Sequence, residues 1–215
     1  MTQIICLANS KKEGERCIAG IDVQTGEWIR PVSDRKDGAI TSEMRLIDGR
    51  EPQLLDILEI PLELNGPDEG FQPENRLLKN GCWKRTGCVT PQNILKYCEK
   101  DSVILHNRLD HILFSYFRMI PKAKWKSLQL IRNKHVVFKS EGCESKIKWR
   151  AHFRHGNLFR RMNLIITDPV ILQRLNDGEL ISSDCILTIS LAMPWSPDNA
   201  TAKRCYKLVA GVIEL

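Results

Sequence analysis

The chain has 215 residues, the length of one large or two small domains, and its 42% hydrophobic content is enough for a packed core. No apolar run approaches the length of a membrane span, and Met1–Asn9 lacks the basic segment and long apolar core of a secretory signal, so a cytoplasmic protein with reduced thiols is expected. The net charge of +6 is unevenly spread: residues 1–110 carry 15 Lys+Arg against 18 Asp+Glu (net −3), and residues 111–215 carry 17 against 8 (net +9). The basic half can attract nucleic acid by counterion release, or dock an acidic protein.

Taken in chain order, Gln3–Ala8 reads as a strand, Asn9–Glu15 as a polar turn, and Arg16–Val23 as a second strand. Trp28–Val32 is a third, with Trp28, Arg30 and Val32 on one side by simple alternation. Leu54–Leu64 is a longer apolar strand, and Thr90-Pro91 starts a helix running to Glu99, with threonine as cap and proline in the first turn. His111–Ile120 is apolar and aromatic and must stop at Pro121. Leu128–Arg132 and Val136–Ser140 are short strands. Asp168-Pro169 caps a helix through Leu175, and Cys185–Met193 and Cys205–Glu214 close the pattern. About five short strands and one short helix in each half give a mostly-β chain of two OB-like five-stranded barrels in tandem, 1–110 and 111–215.

The most informative stretch is Ile147-Lys-Trp-Arg-Ala-His-Phe-Arg-His155, followed by Gly156-Asn157 and Leu158–Ile166. Alternation places Ile147, Trp149, Ala151 and Phe153 on one face and Lys148, Arg150, His152 and Arg154 on the other. With Gly156-Asn157 as a two-residue turn, Trp149 faces Leu164, Ala151 faces Met162 and Ile147 faces Ile166. On the opposite face Arg150 meets Asn163, His152 meets Arg161 and Arg154 meets Phe159. The expectation is a cationic sheet surface that holds phosphates and stacks a base on Phe159. The competing reading is an ordinary solvated outer face.

The segments Cys6-Leu-Ala-Asn-Ser-Lys11, Arg16-Cys-Ile-Ala-Gly20, Thr25-Gly-Glu-Trp-Ile-Arg-Pro-Val-Ser33 and Leu55-Asp-Ile-Leu-Glu-Ile-Pro61 resemble the N-terminal part of the dual OB-containing domain family. Leu187-Thr-Ile-Ser-Leu-Ala-Met-Pro-Trp195 and Cys205-Tyr-Lys-Leu-Val-Ala-Gly-Val-Ile213 resemble its closing strands, whereas His106–Lys126 departs from its pattern. The resemblance implies two OB-like barrels and nucleic-acid binding, as a sensor or recognition component of a bacterial defence system. It brings no catalytic residues.

The candidate nucleic-acid contacts are therefore Lys148, Arg150, His152, Arg154, Phe159, Arg161 and Asn163, with Trp28 and Arg30 as a second stacking clamp. For that clamp a half-buried core tryptophan edged by arginine is the competing reading. Arg45 reads as part of a solvated loop. His152 and His155 would point to opposite faces of a strand, so they do not share a metal. The eight cysteines include no Cys-x-x-Cys pair; Cys6, Cys17, Cys185 and Cys205 lie in strand-like runs and are expected as buried thiols. No metal, cofactor or enzymatic activity is expected. Two alternatives stay open: a non-enzymatic module docking an acidic partner such as an effector subunit, and a metal-dependent nuclease using Asp168, Asp177 and Asp184.

Overall fold

Asp56-Ile-Leu-Glu-Ile60 alternates buried and half-buried side chains, the period of a strand with one face in a core. That pattern and its neighbours dominate a computed structural model that describes residues 1–12, 14–142, 147–156, 161–196 and 202–215. The chain is mostly β, with 44% strand and 14% helix.

It divides into two units, Met1–Tyr97 and Cys98–Leu215. This division precedes Cys98–Asp110, which the charge pattern had left with the first half. The segment belongs to the second unit because its backbone is tied there: Glu99 N–H donates to Leu130 O (2.8 Å), and Leu105 N–H to the Gln129 side chain (2.7 Å).

In the first unit the described residues form β1 (Thr2–Lys12), β2 (Glu15–Asp22), β3 (Trp28–Val32), β4 (Asp56–Ile60), β5 (Asn75–Leu77) and β6 (Lys84–Cys88), in the order β5-β3-β2-β1-β4-β6. Ile4, Cys6, Ile18, Ile29, Ile40, Leu58, Ile60 and Trp83 build its core. Two short helices, α1 (Ser42–Arg45) and α2 (Pro91–Ile94), complete it. The expected polar turn at Asn9 is instead more of β1. Asn9 pairs with Ile18, and its side-chain amide N–H donates to Pro52 O (2.8 Å) under cover. β4 is shorter than the apolar run suggested, because Pro61 cannot donate to a ladder. The helix expected from Thr90-Pro91 is one turn, continued by a 3₁₀ turn at Leu95–Tyr97.

The second unit contains β7 (His111–Leu113), 3₁₀ turns at Phe114–Arg118 and Lys122–Lys124, β8 (Leu128–Asn133), β9 (Val137–Glu141), β10 (Lys148–Phe153), β11 (Met162–Ile166), α3 (Pro169–Asn176), β12 (Cys185–Leu191) and β13 (Arg204–Glu214). Its sheet runs β8-β12-β13-β11-β10-β9, with β7 also paired to β13. β11 and β13 are parallel, Ile165 beside Leu208 and Ile166 beside Val209. Six and seven strands thus stand where about five per half were expected. The additional ones are short pieces such as β5 and β7, too brief to show a period.

The register of β10 against β11 differs from the expected one by two residues. Ala151 faces Leu164, His152 faces Asn163, Phe153 faces Met162 and Arg150 faces Ile165. A shift of two keeps every side chain on its face, so the apolar and polar faces stand while the partners change. Among the described residues the last strand pair is Phe153–Met162, and the expected turn at Gly156-Asn157 lies partly outside the described residues. The chain leaves the sheet at Arg154 because other contacts hold it. His155 is buried and its Nε2 donates to Asp101 O (2.8 Å), and Asn133 donates to Arg154 O. At Gly156 a Cβ would come within 2.7 Å of Ser102 O. Each of these hydrogen bonds contributes about 1 kcal/mol to holding the chain there.

Candidate nucleic-acid interface

β10 turns Trp149, Ala151 and Phe153 inward and Lys148, Arg150 and His152 outward. Ala151 and Phe153 are buried, and the Trp149 indole donates to Asn176 Oδ1 at the end of α3 (2.7 Å). On the outward face the ladder sets Glu141, Lys139 and Val137 of β9 opposite Lys148, Arg150 and His152. β11 contributes Asn163 and Ile165 on its other side. Glu141 is a carboxylate that the charge pattern did not single out. It lies 3.0 Å from Arg150 Nε and 3.3 Å from His152 Nε2, and accepts from Asn163 Nδ2 (3.0 Å). Arg150 also donates to Asn163 O (3.2 Å). Lys139, Lys148 and Arg150 thus share this face with one carboxylate, Glu141, from the edge strand.

Because Ile165 neighbours Leu208, the same face continues onto β13 as Leu208, Tyr206 and Arg204, all half-buried, while Cys205, Lys207 and Val209 point into the core. β7 adds His111 opposite Tyr206 and Leu113 opposite Arg204, and Trp195 bridges to Arg204. The Tyr206 ring lies 5.6 Å from His111 and 6.2 Å from Trp195, both tilted. Asp110 holds the His111 ring through Nδ1 (2.8 Å). Trp195 is 57% exposed, which leaves a large aromatic surface open to a ligand. Among the described residues the buried Arg204 Nε has no hydrogen-bond partner. Strand spacing and rise put Arg150 and Tyr206 about 12 Å apart along this face.

Behind the aromatics, Lys207 fixes the segment that delivers β7. Its Nζ donates to Ile104 O (2.6 Å), Asn107 O (2.8 Å) and Asn107 Oδ1 (2.9 Å), and its backbone N–H to Asp110 O (2.8 Å). Burial pushes its amine down to about 7. Leu105 and His106 have left-handed backbone (φ 40° and 65°), a conformation costing about 1–3 kcal/mol each for such residues and kept only where the surroundings impose it. His106 donates to Lys126 O (2.8 Å), and burial lowers its pKa.

The other expected residues fall as follows. Arg154 and Arg161 are exposed at the ends of the β10–β11 connection. Phe159, the expected stacking residue, lies outside the described residues. Trp28 is half-buried on β3. Arg30 does not join it as a clamp: the residue is 2% exposed and its guanidinium pairs with the buried Glu74 (3.0 Å). Arg45 is also buried, not solvated, bonding Glu51 (2.7 Å), Glu15 (2.9 Å) and Ile40 O (2.7 Å). Asp168 accepts from Val170 N (3.0 Å), Ile171 N (3.3 Å) and Val212 N (3.0 Å), and Asp184 pairs with Arg132 (2.7 Å). Among the described residues no group of three His, Cys, Asp or Glu is placed to hold a metal ion. Cys6, Cys185 and Cys205 are buried thiols, and Cys17 is half-buried.

Sequence reasoning missed Tyr206, Trp195 and His111. Alternation marks Tyr206 as outward-facing, but the placement of β13 beside β11 is not written in any local pattern.

Two sheets, one per unit, with few short helices, are consistent with an OB-type chain. The chain belongs to the dual OB-containing domain family, whose model matches residues 2–212. No curated protein and no solved structure matches it. Among the described residues no helix is long and apolar enough to cross a membrane.

Proposed function

We propose that the protein binds single-stranded nucleic acid on the outer face of the second unit's sheet. One observation carries this reading: the cations of β10 and the rings of Tyr206, His111 and Trp195 share one continuous face, joined through the Ile165–Leu208 pair. Cations that track a backbone beside aromatics that take bases are the two parts of a single-strand site. OB-fold membership supports it, since that fold commonly presents a sheet face to oligonucleotides. A duplex hides its bases and would leave the aromatic part unused. In a defence setting such a face would recognise the nucleic acid while an effector partner acts on it.

The test is fluorescence anisotropy with labelled single-stranded DNA, single-stranded RNA and duplex DNA at two salt concentrations. Wild type is compared with Tyr206→Ala, Trp195→Ala and Phe159→Ala. The expected result is single-strand binding that weakens with salt and with loss of the rings. Equal weak binding to all three ligands, unchanged in the variants, would replace this reading with a generic basic surface suited to an acidic protein partner.

A further inference from the structure

We infer that Arg150, His152 and Asn163 form a seat for one phosphate of the bound strand, and that Glu141 fills this seat in the free protein and competes with the ligand for it. The inference rests on the nucleic-acid reading above and names the point on the face where the backbone is gripped.

The geometry of the four side chains supports it. Donors from two strands converge on one carboxylate at the sheet surface. Glu141 Oε2 takes Arg150 Nε at 3.0 Å, and Oε1 takes Asn163 Nδ2 at 3.0 Å. His152 Nε2 also points there, 3.3 Å from Oε1, yet it is buried and makes no hydrogen bond. In this arrangement the carboxylate serves Arg150 and Asn163 and leaves His152 Nε2 without a hydrogen bond. A strand phosphate also has two non-bridging oxygens, but on a tetrahedral centre they are oriented differently, and it can accept a hydrogen bond from His152 Nε2 as well as from the other two groups. Arg150 and Asn163 are already held in place, since Arg150 donates to the Asn163 backbone. The seat therefore exists before ligand arrives.

Glu141 is suited to leave it. Its side chain is 43% exposed and it belongs to β9, which among the described residues pairs only with β10 and ends the sheet. An ion pair this exposed is favoured by about fivefold at most, which a phosphate held on a strand with other contacts overcomes. Displacing the carboxylate also changes the ion balance. The phosphate releases a counterion as it binds, while the freed carboxylate takes one up, so this contact adds little to the salt dependence of wild type.

The experiment measures affinity for a labelled single-stranded oligonucleotide across a salt series, with wild type, Glu141→Gln, Glu141→Ser and Glu63→Gln. Glu63 is a half-exposed acid in the first unit, so its variant controls for net charge alone. Thermal melts accompany each, and Glu141→Ser serves if Glu141→Gln folds poorly. The expected result is binding about two- to fivefold tighter in the Glu141 variants at low salt. The slope of log K against log salt should steepen by about 0.7, the increment of one phosphate on a single strand. Glu63→Gln should behave as wild type. Unchanged or weaker binding in folded Glu141 variants, or an equal gain in Glu63→Gln, overturns the competing-carboxylate seat while leaving nucleic-acid binding intact. Absence of binding in wild type and every variant overturns the nucleic-acid reading itself, and the seat with it.

Discussion

The ammonium of Lys207 lies 2.6 Å from the carbonyl oxygen of Ile104, inside the second unit and directly behind the face that carries Tyr206. Burial holds its amine near 7 against an ordinary 10.5. Between those values the unfolded chain binds the proton that the folded chain releases, so stability rises as pH rises through the window. Three thiols act in the opposite sense: burial raises Cys98 to about 11 and Cys185 and Cys205 to about 12, from 9.0. Above pH 9 the unfolded chain loses thiol protons that the folded chain keeps, and stability falls. Urea unfolding across pH 6–10 should therefore show a maximum near pH 9, and Lys207→Met should remove the rise between 7 and 9.

Trp195 offers an exposed ring with few packing duties. Trp195→Ala should weaken single-strand binding by about 1–3 kcal/mol, the range for loss of one base–aromatic stack, with a melting temperature close to wild type. Tyr206→Phe should bind as wild type if stacking is its role, which anisotropy titration reads directly.

Arg30 and Glu74 form a buried pair in the first unit, 3.0 Å apart. Arg30→Met leaves a buried carboxylate without its cation and should cost about 3–5 kcal/mol of stability. Urea denaturation would measure that loss. Oligonucleotide affinity of the folded protein should stay at the wild-type value, because the proposed binding face belongs to the second unit.

Asp168 caps α3 and also accepts from Val212 N–H. Asp168→Ala should destabilise the protein by about 2–4 kcal/mol, from the lost cap together with an unsatisfied buried amide. Asp184, at the surface with Arg132, should cost no more than about 1 kcal/mol when replaced by Ala. A nuclease using both carboxylates predicts a different pattern: Mg²⁺-dependent cleavage of an oligonucleotide, lost in either variant.

Much of the face of β10 was legible because alternation needs only the strand's own residues. Lys148, Arg150 and His152 point outward in either register, and Asp168-Pro169 marks the start of α3 by local chemistry alone. What escaped depended on residues far along the chain. The partner of Arg30 is Glu74, on no shared local motif, so a buried pair looked like a surface clamp. The register of β10 against β11 differs by two residues from that of a tight turn at Gly156, and His155 beside it bonds Asp101, 54 residues away. Glu141 was passed over because one acid in a basic stretch carries little weight in a count, although its place opposite Lys148 and its contact with Arg150 matter to any anion that lands there.

The position of β13 has a further consequence, for the order in which the protein is made. This strand is bonded to β7, β11 and β12, so it lies in the interior of its sheet, yet it leaves the ribosome after every other strand of the unit. Until residues 204–214 emerge, β11 and β12 each wait with an open edge, while the first unit already has all six of its strands. Nascent chains should therefore gain protease resistance in two separated stages, and the interval between them is when unpaired strand edges are most exposed to aggregation and to chaperones.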